Sequence, residues 1–364
     1  MNIAFLGDIA LFGKYSITNN VGLIKNLTEI STYLQKFDLV VGNLESPFSI
    51  KQKPKGAKSA YVCSDIENID VLKALHIDIV TLANNHMFDY GIEGYETTKC
   101  VLNKVGIEWF GAEGKTIELI KDGNKLLFMG YCCYSTNPLC LKKHVGDIGV
   151  NAYNIKEVMR DILCAHENGF FPIIAAHAGL EHVNYPSLDH IRAARKYAEA
   201  CPYLYYGHHP HVIQGVEEFN ESLIAHSLGN FCFDDVYANP SDKEPLIKLS
   251  EQNRTGLILE VTIEDNQIVD WREQMIYIGA DGEIKLLAND GRLDEYNHKI
   301  NCCEKSLEAY ISSRNAILSA RIAERKSMRN LSWFLKRLRP RYLQLALEMK
   351  VNTIQYNKNV KLYL

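Results

Sequence analysis

The chain has 364 residues, 47% of them hydrophobic and 23% charged, with a formal net charge of −4. That balance is ordinary for a globular protein, leaves room for one large domain or two, and argues against a general nucleic-acid binder. No apolar run approaches the roughly 20 residues that cross a bilayer, and the short run from Asn2 to Leu6 has no basic lead, so no export signal is expected.

The apolar run of residues 2–6 reads as a strand that carries Asp8 to its tip. Residues 21–37 have helical spacing, and a second strand at 38–41 leads to Asn43-Leu44-Glu45. The basic, Pro- and Gly-containing residues 51–58 read as an exposed loop, and Ser64-Asp65 as the cap of a helix running to about His76. A third strand at 77–82 ends in Asn84-Asn85-His86, and a helix at 91–105 stops at Gly106. Further strands are expected at 126–131, 172–176 and 203–206, and helices at 155–166 and 187–200. A strand at 222–226 leads to Ser227-Leu228-Gly229-Asn230-Phe231, and Asp265-Asn266 marks a hairpin between 256–263 and 268–278. Strands alternating with helices make an α/β fold with a late antiparallel part.

The ten cysteines form no CxxC pair; they fall as doublets, Cys132-Cys133 and Cys302-Cys303, or singly in apolar segments. They read as reduced core thiols of a cytoplasmic protein.

Most polar signals follow an apolar run: Asp8, Glu45, Asn85-His86, His177, and His209 with His211. Such placement puts them along one rim of a sheet, where open α/β sheets bind ligands. In the stretch Gly207-His208-His209-Pro210-His211, an extended backbone turns His209 and His211 to one face. Carboxylate, carboxamide and imidazole together suit Mn, Fe or Zn and not an all-thiolate site. Taken singly, each residue reads equally well as a cap, a turn residue or a core histidine.

Together these motifs resemble the CapA family, bacterial capsule synthesis proteins linked to poly-γ-glutamate and a branch of the calcineurin-like metallophosphoesterases. The resemblance rests on Gly7-Asp8, Asn43-Leu44-Glu45-Ser46-Pro47, Leu82-Ala83-Asn84-Asn85-His86 with Asp89-Tyr90-Gly91, and His177 with Gly179 and Glu181. It continues through Gly207-x-His209-Pro210-His211-Val212 and Ser227-Leu228-Gly229-Asn230-Phe231, and spans about residues 1–280. It implies a four-layer α/β/β/α sandwich of the metallophosphoesterase type, followed by an added helical region at 281–364. It also implies a dinuclear site of two divalent ions (Mn, Fe or Zn). In this reading Asp8, Glu45 and His211 hold the first ion. Glu45, Asn85, His177 and His209 hold the second, with Glu45 bridging. His86 steadies the phosphoryl group or protonates the leaving oxygen, Asp89 orients His86, and Glu181 and Asn230 face the substrate or support the ligands. His208 is left out of the ligand set. Two departures stand out: Asp8 is followed by Ile9-Ala10, so the superfamily's Asp-x-His is missing, and Ala178 replaces the usual Trp after the middle His.

The resemblance points to a metal-dependent, phosphoesterase-like hydrolase acting on an anionic small molecule or polymer in capsule or poly-γ-glutamate metabolism. Alternatives are a non-hydrolytic component of a synthesis assembly and a γ-glutamyl amide hydrolase. Specificity is expected in the loops at 49–61 and 232–253. The C-terminal region is basic: from 314 to 350 ten Lys and Arg face two Glu, a balance of +8. Packing on the core or on a second subunit is the favoured reading. Contact with the inner membrane surface or with envelope-synthesis proteins is the other.

Overall fold

The computed structural model describes residues 1–50, 60–133, 148–237, 243–327, 338 and 340–364. The basic loop expected at 51–58 lies outside them, as does most of the stretch 328–339.

Two sheets face each other. The first contains β1 (Asn2–Ile9), β2 (Leu39–Leu44), β3 (Ile79–Thr81) and β4 (Glu108–Phe110), joined by β11 (Asn230–Cys232), β12 (Thr255–Glu264), β13 (Gln267–Ile278) and β14 (Ile284–Leu287). Its order is β14-β13-β12-β1-β2-β3-β4, with β11 also paired to β1. The second contains β5 (Ile117–Lys121), β6 (Asn124–Cys132), β7 (Phe171–His177), β8 (Leu204–His208), β9 (Val216–Phe219) and β10 (Ser222–Ala225). Its order is β5-β6-β7-β8-β10-β9.

Strand alternation builds the layers. Ile3, Phe5 and Val41 point inward and meet Phe128, Ile173, Leu204 and Tyr206 of the second sheet. The alternate residues Ala4, Leu6 and Val40 point outward. They pack under α1 (Leu23–Asn26), α2 (Thr28–Leu34), α3 (Ile69–Ala74) and α4 (Gly91–Val105). On the far side Met129, Tyr131, Ile174 and Tyr205 pack under α5 (Ile155–Glu167) and α6 (Leu188–Ala200). The architecture is therefore the four-layer α/β/β/α sandwich. Each fully buried Leu, Ile or Phe in these layers contributes about 1.5–3 kcal/mol.

Local signals explain several boundaries. Gly106 ends α4 in the left-handed region at φ 77°. Ser187 caps α6 by accepting from His190 N–H. Asp265 and Asn266 take φ 48° and 62° in the turn between β12 and β13. Other expectations need correction. The helix expected over 21–37 is split into α1 and α2 around Leu27. Ser64 caps no helix; its hydroxyl bonds the Asp65 carbonyl, and a 3-10 turn at Ile66–Asn68 precedes α3.

Past residue 280 the chain stays on the core. β14 pairs with β13, and α7 (Arg292–Asn301) buries Leu293, Tyr296 and Ile300 between the sheets. Two longer helices follow, α8 (Leu307–Ser327) and α9 (Pro340–Tyr363). Tyr310 of α8 is buried in the central core, and Val360 of α9 packs against the α5–α6 layer. Among the described residues no helix is long and apolar enough to cross a membrane.

Candidate metal centre

Strand register brings the chemistry to one place. In the first sheet Asp8 is level with Asn43 of β2 and Asn230 of β11. In the second, His177 is level with His208. The polar residues thus come from the facing rims of two sheets, not from one rim. Close approach at these rims requires glycine. A Cβ on Gly7 would stand 2.3 Å from the Gly229 carbonyl oxygen.

Asp8 is fully buried. It accepts from Asn43 Nδ2 at 2.8 Å and from His209 N–H at 3.3 Å. His208 Nδ1 is 3.0 Å from one of its oxygens and His211 Nδ1 3.2 Å from the other. Burial opposes its charge, but the histidine contacts outweigh burial and hold its carboxyl well below the usual range.

Glu45, just past β2, is equally buried. Three imidazoles converge on its Oε1: His211 Nε2 at 3.6 Å, His177 Nε2 at 3.8 Å and His86 Nε2 at 3.9 Å. These spacings exceed a hydrogen bond. Atoms bound to one ion at about 2.1 Å stand roughly 3–4 Å apart, so the spacings suit a shared cation. Asp8, Glu45 and His211 each offer a ligand atom, all within 4.8 Å of one another. Burial disfavours charge on His211, yet Glu45 and Asp8 raise its pKa to about 10: the two carboxylates call for a positive charge here, which a bound cation would supply in place of the ring's proton.

A second group adjoins the first. His177 Nε2 is 2.8 Å from Asn85 Oδ1, and the His177 and His209 rings lie 4.9 Å apart. His209 Nδ1 is buried and has no hydrogen-bond partner among the described residues. Burial lowers the pKa of His209 to about 4 and that of His177 well below its ordinary value, so both rings stay neutral, the state in which imidazole binds metal. The donor set therefore fits divalent cations.

The support is as ordered as the site. His86 Nδ1 lies 2.6 Å from Asp89 Oδ2. Asn84 Oδ1 accepts from the His86 and Met87 N–H groups, and Asn84 Nδ2 donates to Asn43 Oδ1. His211 Nδ1 is 2.9 Å from Asn230 Oδ1, whose own Nδ2 donates to the Asn253 carbonyl. Asn253 Nδ2 donates to the His211 carbonyl and to His182 Nδ1. Glu181 is half-buried at the rim, and its charge acts on His209 and His211.

All the expected residues lie in or around this cluster, but the local geometry of one stretch differs from expectation. β8 ends at His208, and His209 and His211 are not extended: their φ angles are 91° and 55°. These strained left-handed conformations are held by the His209 N–H to Asp8 bond and by Asn253 on the His211 carbonyl. Three further residues belong to the site: Asn43, His208 and Asn253. Asn43 falls in the same Asn43-Leu44-Glu45 stretch near the end of β2, which is the signal that could have marked it. His208 lies in the histidine stretch but outside the expected ligands, and the structure sets its Nδ1 3.0 Å from Asp8; Asn253 gave no local signal.

Residues 2–235 match the family described as bacterial capsule synthesis protein PGA_cap. The chain is 26% identical over 275 residues to capsule biosynthesis protein CapA of Bacillus anthracis, covering 72% of this chain and 66% of that one. It is 27% identical over 266 residues to PGA biosynthesis protein CapA of Bacillus subtilis (strain 168), covering 70% and 69%. It thus spans about two thirds of the length of these relatives. A crystal structure of a hypothetical protein from Thermus thermophilus aligns over 76% of this chain and 98% of its own, at 16% identity and a TM-score of 0.47. The chain belongs to the bacterial capsule synthesis protein PGA_cap family.

Proposed function

We propose that this chain is a metal-dependent hydrolase of the phosphoesterase type, acting on an anionic substrate of capsule or poly-γ-glutamate metabolism. The observation that carries the reading is the convergence of His86, His177 and His211 on Glu45 Oε1 beside buried Asp8. Asp8, Glu45 and His211 would hold one divalent ion, and Glu45, Asn85, His177 and His209 a second, whether Mn, Fe or Zn. When bound, such ions neutralise phosphoryl charge and supply a nucleophile at neutral pH.

The chain's own residues do the rest. Asp89 accepts the Nδ1–H of His86 and turns Nε2 toward Glu45. His86 is then placed to steady an anionic substrate oxygen or to give a proton to the leaving oxygen. Asn230 and Asp8 accept at His211 Nδ1 and leave its Nε2 facing Glu45. Asn43 fixes Asp8 and stands 3.5 Å from His177 Nδ1. Buried Phe233, 4.7 Å from the His211 ring, keeps water from that side.

The test is hydrolysis of p-nitrophenyl phosphate and bis(p-nitrophenyl) phosphate with added Mn²⁺. Activity is expected in the wild type and lost in His177→Ala. Turnover unchanged by that substitution would sink the assignment.

A second reading is that the centre grips an anionic polymer without cutting it. It is favoured by Ile9 and Ala10, buried apolar residues where a histidine would complete the first ion's ligands. Retention of polymer by the Mn²⁺-loaded protein without any product would select it.

A further inference from the structure

Helix α8 lies outside the residues that match the family, yet it packs on the loop that leads from β7 of the candidate centre. The loop after β7 carries Glu181 and His182, and α8 runs back along it. Tyr310 Oη donates to the Pro186 carbonyl at 2.8 Å, and Arg314 Nε to the Tyr185 carbonyl at 3.2 Å. Ile317 packs on the central core. Residues 310, 314, 317 and 321 share one helical face. From 310 to 321 the helix advances about 16 Å beyond Pro186.

Arg321 stands at the end of this face. Its charge acts on His182, whose Nδ1 accepts from Asn253 and whose ring centroid is 6.2 Å from that of His211. His182 N–H also donates to the Pro210 carbonyl at 2.7 Å, so the loop under Arg321 is bonded to the His209–His211 turn. Arg321 Nη1 pairs with Glu324 one turn on, but its Nε is buried and has no hydrogen-bond partner among the described residues. A guanidinium whose charge reaches His182, the neighbour of His211, and which keeps a buried N–H unspent is suited to planar oxyanions.

We propose that Arg321 is a substrate-recognition residue, binding a second anionic group of a multiply charged substrate whose first anionic group sits at the Asp8–Glu45–His211 centre. The proposal rests on that centre being a substrate site, as argued above. It makes α8 the element that selects oligomeric anions over single ones. The second anionic group is a carboxylate or a phosphodiester; a guanidinium takes either.

Calorimetry on the full-length, Mn²⁺-loaded protein decides it, with three probes: inorganic phosphate, a γ-linked tetraglutamate and a tri(glycerol phosphate). The wild type is expected to prefer at least one oligomer to phosphate. In Arg321→Ala that preference falls about tenfold or more, and Arg321→Lys restores part of it. A loss for tetraglutamate alone identifies carboxylate recognition; a loss for the glycerol phosphate oligomer alone identifies phosphodiester recognition. An unchanged preference, or equal weakening for all three probes, overturns the proposal. Thermal unfolding of each variant separates lost recognition from lost fold. Because binding is read without turnover, a failure of the hydrolase assignment would appear as absent product with the Arg321 dependence intact.

Discussion

His86 Nδ1 and Asp89 Oδ2 lie 2.6 Å apart within one buried turn after β3. Val62 N–H donates to the same Asp89 oxygen at 3.1 Å, so the carboxylate is fixed before it fixes the imidazole. One proton position on Nδ1 follows, and Nε2 is left to face Glu45. Asp89→Ala is therefore expected to lower phosphoester turnover about 10- to 100-fold, and His86→Ala about 10²- to 10⁴-fold. Manganese content, measured by elemental analysis, should stay at the wild-type level in Asp89→Ala, because that side chain faces His86 and not the ligand cluster. Loss of metal together with activity would show that Asp89 acts on the ion site.

A cation that binds the folded chain must stabilise it. Asp8 and Glu45 are buried carboxylates that come together only in the fold. Manganese at about 100 times its dissociation constant should add about 2.7 kcal/mol, read as a rise of a few degrees in melting temperature that EDTA reverses. Asp8→Ala should abolish that rise. A shift in Asp8→Ala equal to wild type would place the ion elsewhere.

The legibility of the sequence follows how far each determinant reaches. Gly106, Ser187 and the Asp265-Asn266 pair act within a turn of themselves, and the boundaries they mark are where they were read. The strands that deliver Asp8, His177 and the histidine turn were visible because each is a buried apolar run. The left-handed backbone at His209 and His211 was not visible, because bonds to Asp8 and Asn253 hold it from distant parts of the chain. His208 shows the same limit: whether its ring faces solvent or Asp8 depends on how the two sheets meet. β5 and β9 sit at sheet edges and carry exposed charged positions, so their apolar pattern is weak.

The buried network of Arg195, Glu217 and His226 should set the acid limb of stability. Arg195 Nη2 is 2.6 Å from Glu217 Oε2 and donates to the Ile300 carbonyl, while His226 Nε2 is 3.1 Å from Glu217 Oε1. The group ties α6 to β9 and α7. Burial pushes the Glu217 carboxyl upward, but His226 and Arg195 outweigh it and hold its pKa below the ordinary 4.5. Unfolded chains therefore take up this proton first. The stabilisation is complete above about pH 4.5 and is lost as pH falls through the lower folded value. Urea unfolding of Glu217→Gln from pH 6 to 3 should show a flatter acid limb than wild type. Glu217→Ala at pH 7 should cost up to about 3–5 kcal/mol, because the half-buried Arg195 loses its carboxylate partner. Parallel acid limbs in wild type and Glu217→Gln would remove Glu217 from this role.

Gly207 tests whether the histidine turn depends on how closely β8 approaches the chain after β10. An added Cβ would stand 1.9 Å from the His226 carbonyl oxygen and 2.6 Å from its carbonyl carbon, both backbone atoms that no rotamer change can move. Gly207→Ala must then push the two segments apart, and His208 to His211 follow directly. The expected cost exceeds the roughly 1–3 kcal/mol of ordinary overpacking, with a lower melting temperature and weakened Mn²⁺ binding. Gly114 provides the contrast. It takes φ 77° but has nothing within 4 Å of an added Cβ. Gly114→Ala should cost only the left-handed strain, about 1–2 kcal/mol, and leave Mn²⁺ binding at the wild-type level. Equal melting temperatures for the two variants, or full Mn²⁺ binding by Gly207→Ala, would mean that the turn does not depend on this contact.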